Sequence, residues 1–395
     1  MTSCSWWMKW IVLWLATAQL SAMAVTAVHP VRDDEVLEVL PEVTRSRPPL
    51  RAVAAPQVLD PTAASLQARQ DIAIARQTGD TRYWGRAQAI LAPWWDRPDA
   101  PADLAILQAT VQQGRHEFDA SRKVLTAALT RAPGHAQGWL NLAALERLSA
   151  RYAQAQGACE KVAHAGQALY AAACRLETQS LQGQHQVATQ GLQALTAQTT
   201  DPSQRSWLYS LLAESQERRG QDRAAADAYT RSLALDPDLY TSIAYSDLLL
   251  RTGKTSAALQ ALSALPETDA VLMRRAAGWR RLGDERWTGA RALLKERATE
   301  LERRGDDPIL HGRELALAAL WLDDDAAHAL GLARRNLLLQ REPLDWWVAL
   351  QSARKAKNSA VVAEIESAIQ AVGLHDARLA STRSAAMPLR LMAAD

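Results

Sequence analysis

The chain is 395 residues long, with 45 Lys plus Arg against 43 Asp plus Glu and a formal charge of +2. A balance this close gives no electrostatic case for a nucleic-acid partner. A composition 48% hydrophobic and 22% charged excludes an intrinsically disordered chain and leaves room for one long domain or two ordinary ones.

In chain order, the first element is a leader. Lys9 follows a short polar start, Trp10 to Leu20 is mostly apolar, and Ala22-Met23-Ala24 offers a small-x-small cleavage site. This is the layout of a secretory signal peptide, residues 1–24, and it predicts export to the periplasm. An uncleaved anchor is the alternative, although Thr17, Gln19, Ser21 and Thr26 dilute the apolar run. Residues 25–61 read as an extended lead-in broken by Pro30, Pro41, Pro48-Pro49 and Pro56. With the leader removed, two cysteines remain, Cys159 and Cys174. One possible pair in an oxidising compartment predicts a disulfide.

Beyond Pro61 the pattern predicts helices of roughly 12 to 16 residues joined by short turns, continuing to about Asp376. Ala, Leu, Arg and Gln dominate the segment, and all four favour helix. The clearest unit runs from Arg205 to Pro237. Tyr209, Leu212 and Ala213 line a first helix, Gly220-Gln221 turns the chain, and Ala225, Tyr229 and Ser232 line a second that ends at Asp236-Pro237. Small residues at Ala213 and Ala225 suit a close antiparallel contact. The same offsets recur at Trp139, Leu142, Ala143, Tyr152 and Ala155, and weaker copies lie on both sides.

These residues resemble the tetratricopeptide repeat, whose 34-residue unit is a helix–turn–helix. The resemblance covers about eight helix pairs, regular over 62–265 and degenerate over 266–376, with residues 377–395 left as a flexible tail. It implies an all-α fold, a right-handed α-α superhelix of stacked antiparallel helix pairs. Within that frame Cys159 falls on a second helix and Cys174 on the next first helix, almost level across the hairpin.

No catalytic constellation is found. The eight histidines form no HExxH pair, and no Gly-x-Ser-x-Gly elbow or phosphate loop is present. Asp323-Asp324-Asp325 reads as a cap for the helix beginning near Ala326. His311, Glu314 and Asp323 are the only weak candidates for a metal, and no cofactor is expected.

Trp94-Trp95 and Trp346-Trp347 are adjacent pairs, one member of each a candidate exposed anchor. The resemblance implies a concave groove that binds peptides or helices, with Asn141, Glu146, Glu177, Gln216, Arg251, Trp95, Asn336 and Trp347 as candidate lining residues. The expected protein is a non-catalytic periplasmic scaffold or an assembly or transport accessory, monomeric or weakly dimeric. Its partner would be an envelope or membrane protein or an exported peptide segment. The alternative is an envelope carrier of a small ligand or metal ion.

Overall fold

The chain divides into two compact units, residues 1–57 and 58–395. The computed structural model describes residues 60–303 and 308–380, all in the second unit. The signal peptide, nearly all of the lead-in and residues 381–395 lie outside the described residues.

The described residues are helical and fall into antiparallel pairs. The first five pairs are α1 (Pro61–Thr78) with α2 (Arg82–Leu91), α3 (Ala102–Gly114) with α4 (Phe118–Arg131), α5 (Ala136–Leu148) with α6 (Tyr152–His164), α7 (Ala168–Leu181) with α8 (His185–Gln198), and α9 (Pro202–Arg218) with α10 (Asp222–Leu235). Four more follow: α11 (Leu239–Arg251) with α12 (Thr255–Leu262), α13 (Asp269–Arg281) with α14 (Arg286–Arg303), α15 (Gly312–Trp321) with α16 (Ala326–Leu339), and α17 (Pro343–Lys355) with α18 (Ser359–Val372). A short α19 (Ala377–Ala380) follows, where a flexible tail was expected. The described residues thus hold nine pairs rather than about eight, and the degenerate C-terminal segment continues the same hairpins.

Each pair turns on one left-handed residue. These are Gly79, His116, Ala150, Gly183, Gly220, Gly253, Gly283, Asp324 and Lys357. Five residues further on, most units place a small side chain facing the first helix. Ser121, Ala155, Ala188, Ala225, Ala258 and Ala329 are all fully buried, and a larger group would force the helix axes apart. Side-chain caps define many helix starts. Asp201 accepts from Gln204 N at 2.7 Å and Asp238 from Thr241 N at 2.8 Å, which satisfies backbone donors that a helix start leaves unpaired. Asp325 caps α16, accepting from His328 N at 2.9 Å, as the acidic run suggested.

Successive first helices touch one another along the stack, whereas successive second helices do not come into comparable contact. The stack therefore curves with its first helices inside. That curvature brings later units back onto earlier ones. Gly79, at the first turn, packs on Thr268 at the start of the seventh pair. His116, at the second turn, donates from Nδ1 to Leu310 O beside the eighth pair, at 2.5 Å. Leu148 O, at the third, accepts from Arg341 N before the ninth at 2.7 Å, and Leu181 O, at the fourth, accepts from His375 N before α19 at 2.8 Å. At the fifth turn Arg378 of α19 reaches Glu217 at 3.4 Å. The offset is six units over the first four turns, and α19 serves both the fourth and the fifth, so consecutive superhelical turns stack edge to edge.

Candidate functional site: the inner face of the superhelix

A curved stack offers a ligand its inner wall, so the register of the first helices decides which side chains are presented there. Thirteen residues before the left-handed turn, three consecutive units carry aromatics: Tyr170 before Gly183, Trp207 before Gly220 and Tyr240 before Gly253. Six residues before the same turns stand three carboxylates, Glu177, Glu214 and Asp247. The two rows lie seven residues apart on each helix, close to two turns, so they share a face about 10 Å apart.

The aromatic row is contiguous at one end, with the Tyr170 and Trp207 rings 5.4 Å apart. Tyr240 ties the rows together, donating from its hydroxyl to Glu214 Oε1 at 2.8 Å. Solvent reaches its ring, which is 62% exposed, yet carboxylates from several helices surround the phenol. Glu214 beside it, then burial, then Glu342, hold its pKa well above the ordinary tyrosine value. Burial likewise raises the Glu214 pKa, opposed by Arg218.

An arginine answers each carboxylate, from a neighbouring unit at Glu177 and Asp247 and from the same helix at Glu214. Arg147 meets Glu177 at 2.8 Å, Arg218 meets Glu214 at 3.3 Å, and Arg274 grips Asp247 through two bonds of 2.7 Å. Burying Arg274, 2% exposed, is tolerable because the Asp247 carboxylate compensates its charge. The wall thus alternates flat rings with fixed hydrogen-bonding charge. Such a surface can stack on side chains and pair with the polar backbone of an extended segment.

The residues anticipated as a groove are dispersed across this framework. Glu177 stands in the carboxylate row. Asn141 is half-buried on α5, donating to Thr110 Oγ1 and accepting from Gln137 Nε2, both at 2.9 Å. Glu146 is buried and accepts from Arg122 Nε at 3.2 Å and Arg151 Nη2 at 3.0 Å. Gln216 is also buried, and its Oε1 has no hydrogen-bond partner. Arg251 is held by Asp222 at 2.9 Å and Glu217 at 3.1 Å.

Three further candidates belong to other surroundings. Trp95 closes the connection after α2 and packs with Trp84 and Trp94 on the first core. Asn336 is on a second helix, 2% exposed, donating to Asp345 Oδ1 at 2.7 Å. Trp347 packs edge-on against Trp321, ring centroids 6.1 Å apart. The aromatic row escaped the sequence reading, although a fixed offset from the glycine turns marks all three of its members.

The cysteines do meet: Cys159 of α6 and Cys174 of α7 are joined, with Cα atoms 5.6 Å apart. Among the described residues no three His, Cys, Asp or Glu side chains gather as a metal site would require. Asp323 is occupied by Arg291, whose Nε donates at 2.6 Å. No helix among the described residues is long and apolar enough to cross a membrane.

The fold is an all-α, solenoid-like stack of antiparallel helix pairs, similar in its hairpins to tetratricopeptide repeats. No protein-family model matches the chain, and no curated protein is detectably similar to it. Solved structures with which it shares helical stacking include PilF of Pseudomonas aeruginosa, at 16% identity over 52% of this chain and 92% of that one, TM-score 0.36. A Rap protein complexed with competence and sporulation factor is similar at 9% identity over 78% and 84%, TM-score 0.47. The Cut9–Hcn1 assembly of the APC/C is similar at 12% over 78% and 74%, TM-score 0.41. At these identities the likeness concerns fold alone.

Proposed function

We propose that this chain is a non-catalytic periplasmic interaction scaffold that holds an extended or helical segment of an envelope protein against the inner face of its superhelix. The observation that carries the reading is the pair of registered rows, Tyr170, Trp207 and Tyr240 beside Glu177, Glu214 and Asp247. Tyr240 is exposed, with the half-buried Tyr170 and Trp207 beside it, and a ring set among fixed charges is the chemistry of an interface anchor. The disulfide between Cys159 and Cys174 supports an oxidising compartment, in keeping with the leader-like first 24 residues.

The test is a photo-crosslinking residue at Tyr240 in intact cells, with Val187 on an exposed second helix as control. A defined adduct from Tyr240 and none from Val187 is expected. Equal labelling from both positions, or no adduct at Tyr240, contradicts the reading. With the captured partner purified, Tyr240→Ala should weaken binding by about tenfold or more, measured by calorimetry.

A further inference from the structure

The seam between consecutive superhelical turns gathers four histidines. His116 and His185 lie at the second and fourth hairpin turns, while His311 and His375 lie in the connections facing them. The approach is close: a Cβ on Gly183 would come within 2.9 Å of the His375 ring. The seam also holds three buried polar atoms without a hydrogen-bond partner, Tyr152 Oη, His185 Nδ1 and Arg218 Nη2. Buried groups of this kind cost free energy that hydration would return on opening. Ala150, Tyr152 and Leu181 share an apolar core with Leu374 and Leu379 across the seam, and hydrogen bonds and ion pairs add to it. The unpaired polar atoms favour local opening along the seam.

We propose that the seam is an acid-sensitive latch: protonation of His116 and His185 favours separation of consecutive superhelical turns and opens the inner face between them. Burial disfavours added charge on each ring, and at His185 Arg218 adds to it. Around His116 are His311 and Arg313, with Glu314 the opposing carboxylate, and its own turn carries the Arg115–Glu117 pair at 2.9 Å. Around His185 are Arg218, Arg219 and His375, with Asp376 opposing, and Asp376 is already bound by Arg378 through a 2.9 Å bond.

Burial lowers the pKa of both rings. Arg218 adds to the effect at His185, while the bond to Leu310 O opposes it at His116. A group whose pKa is depressed in the closed state and ordinary in the open one takes up a proton on opening. Closure is therefore at full strength above the ordinary histidine pKa and weakens as pH falls through it. The latch stands independently of the proposed partner binding; only what it admits depends on that reading.

Residue-resolved hydrogen exchange on the oxidised, full-length protein tests this without any ligand. The reporters are the Arg341 and His375 amides, which donate across the seam. After correction for intrinsic rates, their protection should fall about tenfold between pH 7.5 and 5.5, while the Leu212 and Ala228 amides keep theirs. The double variant His116→Gln, His185→Gln should hold seam protection nearly constant over the same range. Seam amides equally protected at both pH values overturn the latch, whatever the variant does. So does parallel loss at all four amides, or a folded variant with undiminished pH dependence.

Discussion

A residue bearing a Cβ pays about 1–2 kcal/mol in the left-handed conformation, and four of the nine hairpin turns demand this of His116, Ala150, Asp324 and Lys357. Asp324 has compensation, accepting from Arg280 at 2.9 Å and Lys355 at 2.5 Å. Lys357 is exposed, with φ 54°. Lys357→Gly should therefore stabilise the fold by about 0.5–1 kcal/mol in urea denaturation, and a loss of stability would contradict this turn geometry. The converse test compares two glycines. Gly253→Ala meets open space and bears only the backbone cost, whereas Gly183→Ala also strikes His375 and should lose clearly more. The five glycine turns are legible in sequence because few other residues take positive φ. The other four are not, whereas the row of Tyr170, Trp207 and Tyr240 hangs on glycine turns and was legible by its offset from them.

At the scale of elements, helix pairing follows from the small residues the hairpins require, which is why the unit from Arg205 to Pro237 could be read directly. Ala225 is fully buried between α9 and α10, and Ala225→Leu should cost about 1–3 kcal/mol by overpacking. The disulfide acts on the same scale, spanning 15 residues between α6 and α7. Replacing Cys159 and Cys174 with Ser should lower stability by about 3 kcal/mol on the loop-entropy model, read as a shift in the urea midpoint. An unchanged midpoint would mean that the bridge adds nothing to the folded pair.

Polar networks also tie the C-terminal units together, beside their apolar core. Arg313 donates to Asp345 at 2.7 Å and 2.8 Å, and Asn336 donates to the same buried carboxylate. Removing one partner of a buried pair is costly even where the pair itself adds little. Arg313→Met should therefore destabilise by about 3–5 kcal/mol, measured by urea denaturation. Single-residue patterns do not reveal such networks, since Asn336 and Asp345 look like ordinary surface residues until two helices meet.

At the scale of the whole unit, the decisive feature is that the superhelix closes after six pairs. Small rotations between neighbouring pairs accumulate until Leu148 meets Arg341 and Leu181 meets His375. Nothing local in the sequence encodes a contact across nearly two hundred positions, so the fold was legible and its closure was not. Closure also gives α19, expected to be flexible, a place: Arg378 is held by Asp376 and Glu217 at the last contact of the seam.

Closure can be measured directly by a cysteine pair across the seam. A Cβ on Gly220 would lie 3.2 Å from that of Ala377, near the separation a disulfide spans. In the double variant Gly220→Cys, Ala377→Cys, mild oxidation of the native protein should form this bridge in high yield, with Cys159–Cys174 retained, as peptide mapping by mass spectrometry will show. Both new thiols remaining free under those conditions, in a protein with its helical content intact, would contradict a superhelix closed on itself.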